Sequence, residues 1–533
     1  MPNDIANELK EAVDRVLSST SRKKLVMAGP GAGKTYLFKK LLEQCIGGRD
    51  ERLVLTFIKN LKADLDRNLG EIATVSTLHG YCQSLLHRHG VLRGGLTSEF
   101  KCYPGLVSLI KKDWSLIHGS AEPEFVKEMR LLECPAEHDG FYSNRSDYYD
   151  AVDFDDSVYR THKKLGEYPD LIPLYRLVLI DEFQDFNRME ASLIAQLGST
   201  NPIVIAGDDD QALYGQLRGA SWDFIRSHYA EGEYTVFQLP FCMRCPEVIV
   251  GAVNDILTRA RAENKLDGRI DKPFRFYEPL KGADSLRFPR IDRVQTSVQR
   301  LNANYFGRYI EQCIRAIPQA EADEAREKHE PLALVIGNKP YMPQVGQHLL
   351  DVGLIVPQQD VEMSERDAAL EVLKENPNSN LGWRIILSLG NDTFARPIIR
   401  RSFEEGIRLS DILPNDFRDP IIQEALAWNK PEAVEEEADV PAIRLTSYEG
   451  SKGMSAQYVF LVGLHTGDLP RNVTNITDIE ICRFLVGLTR TKKQCSLLLT
   501  RRFGNDLRNP SPFLEWINQG RLDFKNINAQ YWA

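Results

Sequence analysis

The stretch "VMAGPGAGKT", residues 26–35, decides the fold, because it places a glycine-rich turn between a strand and a helix. Lys24 to Met27 read as a short buried strand, and "TYLFKKLLEQCI" after the turn has leucines at helical spacing. Gly31 and Gly33 let backbone N–H groups surround a phosphate without a clash from a Cβ atom. We therefore predict a phosphate-binding loop that opens a helix.

Two residues at the end of this loop carry the nucleotide chemistry. Lys34 is placed to reach the β- and γ-phosphates of ATP, and Thr35 to bind Mg²⁺. The strict pattern begins with glycine where this chain has Ala28, and alanine is compatible with that position if its backbone is not left-handed. The predicted nucleotide-binding residues are Ala28, Gly29, Pro30, Gly31, Ala32, Gly33, Lys34 and Thr35.

An acidic pair in "YRLVLIDEFQD" completes the predicted site. Residues 177–180 are continuously apolar, as in a central parallel strand, and Asp181 follows at the carboxyl end, where ligands bind in such sheets. Asp181 is the expected partner of Mg²⁺, and Glu182 can orient or deprotonate the attacking water. The pair favours ATP hydrolysis over binding alone. A guanine-reading N-K-x-D pattern is not met by "NKPY", residues 338–341.

Bulk composition limits the class of protein. The 533 residues predict two large domains with smaller insertions. With 43% hydrophobic residues, no apolar run of bilayer length and no signal peptide at the N-terminus, we expect a cytoplasmic globular protein that is not bound to a membrane. The formal charge of −9 means that any nucleic acid binds in a local cleft and not over the whole surface.

Several stretches resemble one known family. "DEFQD", residues 181–185, resembles motif II of the UvrD-like superfamily-one helicases, whose motif I has alanine at the position of Ala28. "VLTFIKNLKADL" resembles motif Ia of that family, "TLHGYC" the next DNA-facing motif, and "AGDDDQALYGQLRGA" motif III. "FCMRCPEVIV", "TSYEGSKGMSAQYVFLVGL" and "LVGLTRTKK" resemble motifs IV, V and VI. The matches keep the family's order and extend to Arg490.

The resemblance implies an α/β fold with two RecA-like P-loop domains, each a doubly wound parallel sheet, and mainly helical insertions. It implies catalytic roles for Glu182, Gln211, Arg244 and Arg490, and contacts to nucleic acid from Phe57, Thr77, His79 and Tyr214. Phe57, Tyr81 and Tyr214 are the aromatic residues that we consider as platforms for stacked bases, with burial in the core as the alternative.

The resemblance also implies an activity. The implied activity is that of an ATP-dependent DNA helicase or single-stranded DNA translocase that moves 3′ to 5′. Its implied cofactors are ATP and Mg²⁺, and its implied partner is single-stranded DNA. One alternative is a motor or nucleotide-sensing subunit of a nuclease-containing complex, such as a phage-defence system. Another is a non-catalytic scaffold, against which the intact set of Lys34, Thr35, Asp181 and Glu182 argues.

The motif positions divide the chain into domains. "YYDAVDFDD" in the first insertion is expected to be a solvated acidic face. The second insertion is shorter than in typical UvrD or Rep helicases. The predicted divisions are residues 1–90 and 165–240 for the first RecA-like, ATP-binding domain, 91–164 for its helical insertion, 241–356 and 441–533 for the second RecA-like domain, and 357–440 for a reduced second insertion.

The sequence departs from the family pattern at a few positions. Residues 1–30 contain no glutamine to recognise adenine. The usual base-stacking tryptophan is replaced by Leu217, for which Trp222 is a possible substitute. In motif V, Glu449 and Ser455 replace the usual histidine and glutamate, so the contacts with DNA and with the ribose are open. Cys242 and Cys245 form a C-x-x-C pair without a second pair at useful spacing, which favours structural thiols over a metal site.

Overall fold

A computed structural model describes residues 2–296, 305–355, 363–430 and 442–532, without the side chains of residues 2, 3, 59, 60, 216, 217 and 529. Strands in this part of the chain are mostly short, apolar and buried. They are β1 (Lys23–Ala28), β2 (Arg52–Thr56), β3 (Thr74–Thr77), β4 (Lys101–Cys102), β5 (Ala151–Val152), β6 (Leu177–Ile180), β7 (Ile203–Gly207), β8 (Thr235–Leu239), β9 (Phe241–Cys242), β10 (Arg275–Phe276), β11 (Ile291–Thr296), β12 (Ala333–Gly337), β13 (Ile443–Thr446), β14 (Ala456–Val462), β15 (Thr491–Thr500), β16 (Arg502–Phe503), β17 (Asp506–Leu507) and β18 (Leu522–Ile527).

Helices connect these strands and fill both insertions. They are α1 (Pro2–Ser18), α2 (Lys34–Gln44), α3 (Lys59–Leu69), α4 (Leu78–Arg88), α5 (Gly90–Arg93), α6 (Leu106–His118), α7 (Phe125–Leu131), α8 (Ala136–Tyr149), α9 (Phe154–Glu167), α10 (Arg188–Thr200), α11 (Gly215–Arg218), α12 (Asp223–Ala230), α13 (Glu247–Ala262), α14 (Glu278–Arg287), α15 (Tyr305–Arg315), α16 (Gln319–Glu327), α17 (Met342–Asp351), α18 (Glu365–Glu375), α19 (Asn380–Ser388), α20 (Asp392–Glu405), α21 (Leu409–Ile412), α22 (Asn415–Ala427), α23 (Asp478–Leu488) and α24 (Phe513–Trp516). Within the described ranges, no helix combines the length and the apolarity that crossing a bilayer requires.

The first large sheet has the strand order β3-β2-β6-β7-β1-β8, and all of its neighbouring strands are parallel. Successive side chains of β1 point to opposite faces, so Leu25 and Met27 enter one hydrophobic core and Val26 enters the other. Because the strands are parallel, the turn after β1 and the acidic pair after β6 lie at the same edge of the sheet.

The second large sheet has the order β13-β12-β14-β15-β11-β18, again with parallel neighbours. Its two faces also bury separate cores: Leu334 and Ile336 of β12 enter one, and Ala333 and Val335 enter the other. The two sheets confirm the predicted α/β fold of two RecA-like domains. The domain limits stay predictions, and residues 356–362 and 431–441, at the ends of the second insertion, lie outside the described residues.

The two insertions pack against each other. Helices α5–α9 form the first insertion with the small strands β4 and β5, and helices α18–α22 form the second. Both contribute to the same hydrophobic core that covers one face of the first sheet. The second insertion is therefore joined to the first by apolar packing, although the two are far apart in the sequence.

The acidic run in the first insertion is not the solvated face that its charge predicted. Asp153, Asp155 and Asp156 are all buried. The Asp153 carboxylate caps α9 by accepting a bond from the Asp156 N–H, and Asp155 accepts two bonds from Arg130, at 2.7 and 2.8 Å. Asp156 accepts a bond from the Ser146 hydroxyl at 3.0 Å, so each of these three buried carboxylates has a partner.

Candidate nucleotide and nucleic-acid site

The phosphate loop has the predicted geometry. Ala28 is the last residue of β1 and is fully buried, with the extended backbone of a strand, so glycine is not needed there. Gly31 and Gly33 have φ angles of 65° and 86°, a region that favours glycine. A Cβ atom on Gly31 would lie 2.4 Å from the Cβ atom of Arg244, so the glycine also permits the segment that carries Arg244 to approach closely.

Lys34 lies at the first position of α2 and is held by the acidic pair. Its Nζ atom is 2.6 Å from Oε1 of Glu182. Burial acts to lower the pKa of Lys34, but the Glu182 and Asp181 carboxylates more than offset it and raise that pKa. The pKa of Glu182 falls well below its ordinary value although the group is buried, because Lys34 and Lys452 both face it. Glu182 is thus a weak base while Lys34 remains its partner.

Asp181 has the surroundings of a metal ligand. It is buried, and its Oδ1 atom has no hydrogen-bond partner in the described part of the chain. Burial, and then the neighbouring Glu182 charge, raise its pKa to about 6, although Lys34 acts in the opposite direction. Thr35 lines the same cavity and offers a hydroxyl oxygen. Oxygen donors of this kind suit Mg²⁺, so the residues present fit the predicted ion.

Two arginines face the phosphate loop from the second domain. Arg490 is fully buried, and its Nη2 atom donates to Oε1 of Gln211 at 2.9 Å. Arg244 donates to the Thr489 carbonyl at 3.2 Å. Burial and the neighbouring Arg244 lower the pKa of Arg490 to about 9, so the Arg490 guanidinium stays charged near neutral pH. Two adjacent cations in a cleft are suited to an anion.

A cavity of about 670 Å³ between the two domains unites the predicted site. Ala28 and Gly29 are outside its lining, and Gly29 instead packs against Phe274. Ser455, which replaces the family's glutamate, also lines the cavity. The predicted residues that line the cavity are Pro30, Gly31, Ala32, Gly33, Lys34, Thr35, Asp181, Glu182, Gln211, Arg244 and Arg490.

Aromatic rings form a second cluster near the end of β2. Tyr214 meets Phe57 edge to face at 5.4 Å between centroids, and Phe57 lies 6.3 Å from the ring of His79. The guanidinium of Arg218 stacks over Phe57 at 4.0 Å. Thr77 is close by, but its hydroxyl is engaged as the cap of α4, where it accepts from the Gly80 N–H. The structure thus brings the four predicted nucleic-acid residues to one place.

Phe154 extends this aromatic cluster and was missed in the sequence. Its ring meets His79 edge to face at 5.6 Å, and it is 47% exposed, an unusual setting for phenylalanine. It is the first residue of α9, directly after the capping Asp153. The signal in the sequence was a single phenylalanine between two aspartates at the start of a helix. The acidic charge of the run drew attention away from it.

The other aromatic residues and the cysteine pair considered in the sequence are buried or half-buried. Tyr81 is buried in the core beside Tyr175, so the alternative of a core residue is correct and its ring is not a base platform. Trp222 is half-buried under Arg226, and the Leu217 side chain lies outside the described residues. Cys242 and Cys245 are both buried thiols.

Glu449, the motif V departure, connects the aromatic cluster to the second domain. Its carbonyl oxygen accepts a bond from the Tyr214 hydroxyl at 3.0 Å, and its carboxylate accepts one from Arg483 at 2.6 Å. The side chain is therefore engaged within the second domain, and the carbonyl, not the carboxylate, faces the cluster.

Comparison with known proteins agrees with this geometry. The family model for the UvrD/REP helicase N-terminal domain matches residues 9–131 and 136–231. The chain is 25% identical over 293 residues to the ATP-dependent DNA helicase UvrD1 of Mycobacterium leprae, covering 44% of this chain and 37% of that protein. It is 26% identical over 318 residues to DNA helicase II of Escherichia coli, covering 51% and 44%.

A third relative is the ATP-dependent DNA helicase PcrA of Staphylococcus aureus, 23% identical over 335 residues, which cover 54% of this chain and 45% of the relative. The chain thus spans less than half of the length of each of these relatives. The matched family domain contains the phosphate loop, the acidic pair and Gln211, which are the residues found together at the cleft. The chain therefore resembles the UvrD/Rep/PcrA-like helicases, and the resemblance is carried by the N-terminal domain that the family model matches.

Proposed function

We propose that the chain hydrolyses ATP to move along single-stranded DNA, in the 3′-to-5′ direction and in the cytoplasm. The observation that carries this proposal is that the cleft holds two neighbouring guanidinium groups and a buried carboxylate oxygen that has no partner in the ranges that the structure describes. Asp181 has a buried oxygen without a partner among the described residues, and Arg244 stands beside the buried Arg490. Such a site is stabilised by a metal-bound polyphosphate, which supplies the missing cation and the missing anion together.

The geometry supports a defined order of events. In this proposal the terminal phosphate lies between Lys34 and the pair of Arg244 and Arg490, whose charge stabilises the transferring group. Lys34 then leaves Glu182 for phosphate oxygens. Without that ammonium the basicity of Glu182 rises, so the carboxylate accepts a proton from the attacking water only when nucleotide is bound. Thr35 and Asp181 would hold Mg²⁺, which supplies charge neutralisation to the phosphates when bound.

One short segment connects the site of hydrolysis to the nucleic-acid surface. Gln211 touches Arg490 at the cleft, and three residues later Tyr214 belongs to the aromatic cluster. A change at the phosphate is thus passed over a few residues to the rings that would stack on bases. Phe57 and the exposed Phe154 are the candidate platforms, because both rings contact His79.

ATP hydrolysis by the wild type and by Lys34→Ala, each alone and with single-stranded DNA, duplex DNA or single-stranded RNA, tests the proposal. We expect stimulation by single-stranded DNA, and a fall in kcat of at least about 100-fold in Lys34→Ala. Lys40→Ala is the matched control, since Lys40 lies on the same helix and pairs with the exposed Glu43. Hydrolysis that is indifferent to every nucleic acid would contradict the motor.

The same assay, run as a titration with single-stranded DNA, separates the nucleic-acid surface from the ATP site. Phe154→Ala should weaken binding of single-stranded DNA by about 1–3 kcal/mol and leave DNA-free hydrolysis unchanged. Tyr168→Ala, which removes an exposed ring at the other end of α9, should leave both unchanged. The alternative, a motor subunit in a nuclease-containing complex, predicts a nuclease that co-purifies with the tagged chain.

A further inference from the structure

Three consecutive aspartates follow β7 and are all buried. Asp208, Asp209 and Asp210 offer carboxylate oxygens that lie within 4.8 Å of one another, close enough to hold a metal ion. The space between them is instead taken by the ammonium group of Lys272. Its Nζ atom lies 2.8, 2.6 and 2.9 Å from the three carboxylates in turn.

The cluster around Lys272 is balanced in charge. Arg269 makes two bonds to Asp210, at 2.6 and 2.7 Å, and Arg226 donates to Asp209 at 3.1 Å. Three cations therefore face three carboxylates. Burial acts to lower the pKa of Lys272, but the three carboxylates raise it far above its ordinary value. Lys272 is thus a permanent cation at the position that a metal ion would otherwise occupy.

Asp208 connects this cluster to the ATP site. One of its oxygens faces Lys272 at 2.8 Å, and the other accepts a bond from Nε2 of Gln211 at 2.7 Å. An ionised carboxylate can only accept hydrogen bonds, so the NH₂ end of the Gln211 amide must face Asp208. The oxygen end is then turned to Arg490, from which it accepts a bond at 2.9 Å. The orientation of the Gln211 amide is therefore set by Asp208, on the side away from Arg490.

We propose that Lys272 is a positioning residue of the ATP site, which through Asp208 holds the Gln211 amide with its oxygen toward Arg490. Lys272 does not line the cavity between the domains, so its effect is exerted through Asp208. The loop that carries Lys272 also reaches the phosphate loop, because the ring of Phe274 packs against Gly29. This inference rests on the proposed ATP hydrolysis.

A double-mutant cycle on Lys272 and Gln211 tests it. We expect Lys272→Met to lower kcat for ATP by about 10- to 100-fold with little change in KM, because a misplaced group harms the transition state more than binding. Gln211→Ala should cause a similar loss. The double variant should lose no more than either single variant, since both changes remove the same function. Lys272→Arg, which keeps the cation, should recover part of kcat.

A second variant separates positioning from folding. Lys272→Met leaves the cluster with one more carboxylate than cations, whereas Lys272→Met/Asp209→Asn restores the net charge and keeps Asp208 with Gln211. This variant should melt at a higher temperature than Lys272→Met and still lose kcat. Lys24→Met is the matched control, because Lys24 is a buried lysine at the far end of β1, bonded to the Val16 carbonyl at 2.9 Å. Its kcat should equal that of the wild type.

The possible failures are distinguishable. A wild type that hydrolyses ATP, together with a folded Lys272→Met/Asp209→Asn that keeps full kcat, would overturn the positioning role and leave the proposed function standing. Losses in the double variant that equal the product of the two single losses would do the same, because they indicate independent roles. A wild type without ATP hydrolysis under any nucleic acid would overturn both.

Discussion

His79 lies at the centre of the aromatic cluster and is held neutral. Its Nε2 atom is 3.3 Å from Nη2 of Arg218, and a guanidinium only donates, so Nε2 is the acceptor. Glu190 is 3.5 Å away but is engaged by Arg218 at 2.9 Å, so the proximity of His79 and Glu190 is not an ion pair. Burial, followed by the charge of Arg218, lowers the pKa of His79 to about 4.

This pKa predicts a pH-dependent loss of stability. The folded pKa of His79 is below the unfolded value, about 6.5, so the unfolded chain binds a proton more readily. Stability is therefore unaffected above pH 6.5 and falls by up to about 3 kcal/mol as the pH decreases from 6.5 to 4. Denaturant unfolding across this range should show a smaller loss in His79→Gln. Equal losses in the two proteins would contradict the prediction.

At the scale of elements, the sequence predicted the features that depend on neighbouring residues. It did not predict the features that depend on partners far away in the sequence. The strand β6 coincides with the predicted apolar run, and the glycine turn before α2 lies where its pattern placed it, because both depend on neighbouring residues. The burial of Asp155 depends on Arg130, and that of Asp209 on Lys272, which is 63 residues away. A charged side chain is expected to be exposed when its partner is not known. The acidic run was therefore wrongly predicted to be solvated, and the buried cluster of aspartates around Lys272 was not predicted.

The contact between the two insertions includes a buried ion cluster. Asp113 of α6 accepts a bond from Arg145 of α8 at 2.9 Å and one from Arg384 of α19 at 2.7 Å. The Tyr149 hydroxyl donates to the same carboxylate at 2.5 Å. Asp113 is fully buried and Arg384 is 1% exposed. One carboxylate therefore ties an element of the second insertion to two elements of the first.

Removing the carboxylate of Asp113 should destabilise the protein more than removing the guanidinium of Arg384. Asp113→Asn leaves two buried guanidinium groups without an anion and should destabilise the protein by about 3–5 kcal/mol. Arg384→Met leaves Asp113 with Arg145 and should cost about 1–3 kcal/mol. Lys112→Met is the control, because Lys112 joins the same insertions through an exposed pair with Asp392, which should contribute at most about 1 kcal/mol. Chemical unfolding measures all three, and a reversed order would contradict the explanation.

For the whole molecule, polar and apolar contacts both cross the cleft between the two domains. Lys452 of the second domain is buried; its ammonium donates to the Gln211 carbonyl and lies 2.5 Å from the Asp185 carboxylate. Leu213, just after Gln211, packs in the core of the second domain. The stretch from Gln211 to Tyr214 thus belongs to both halves, which is the arrangement expected of a segment that transmits domain closure.

Lys452→Met tests whether these contacts hold the two domains together. The change leaves Asp185 buried without a cation and should cost about 3–5 kcal/mol, so the domains should separate and water should reach the carboxylate. We expect a larger radius of gyration in X-ray scattering and earlier unfolding. Lys452→Met/Asp185→Asn should recover most of the loss, because no unpaired charge remains, and Lys10→Met, on an exposed face of α1, should behave as the wild type. An unchanged radius and unfolding curve in Lys452→Met would mean that packing around Leu213, and not the ion pair, closes the cleft.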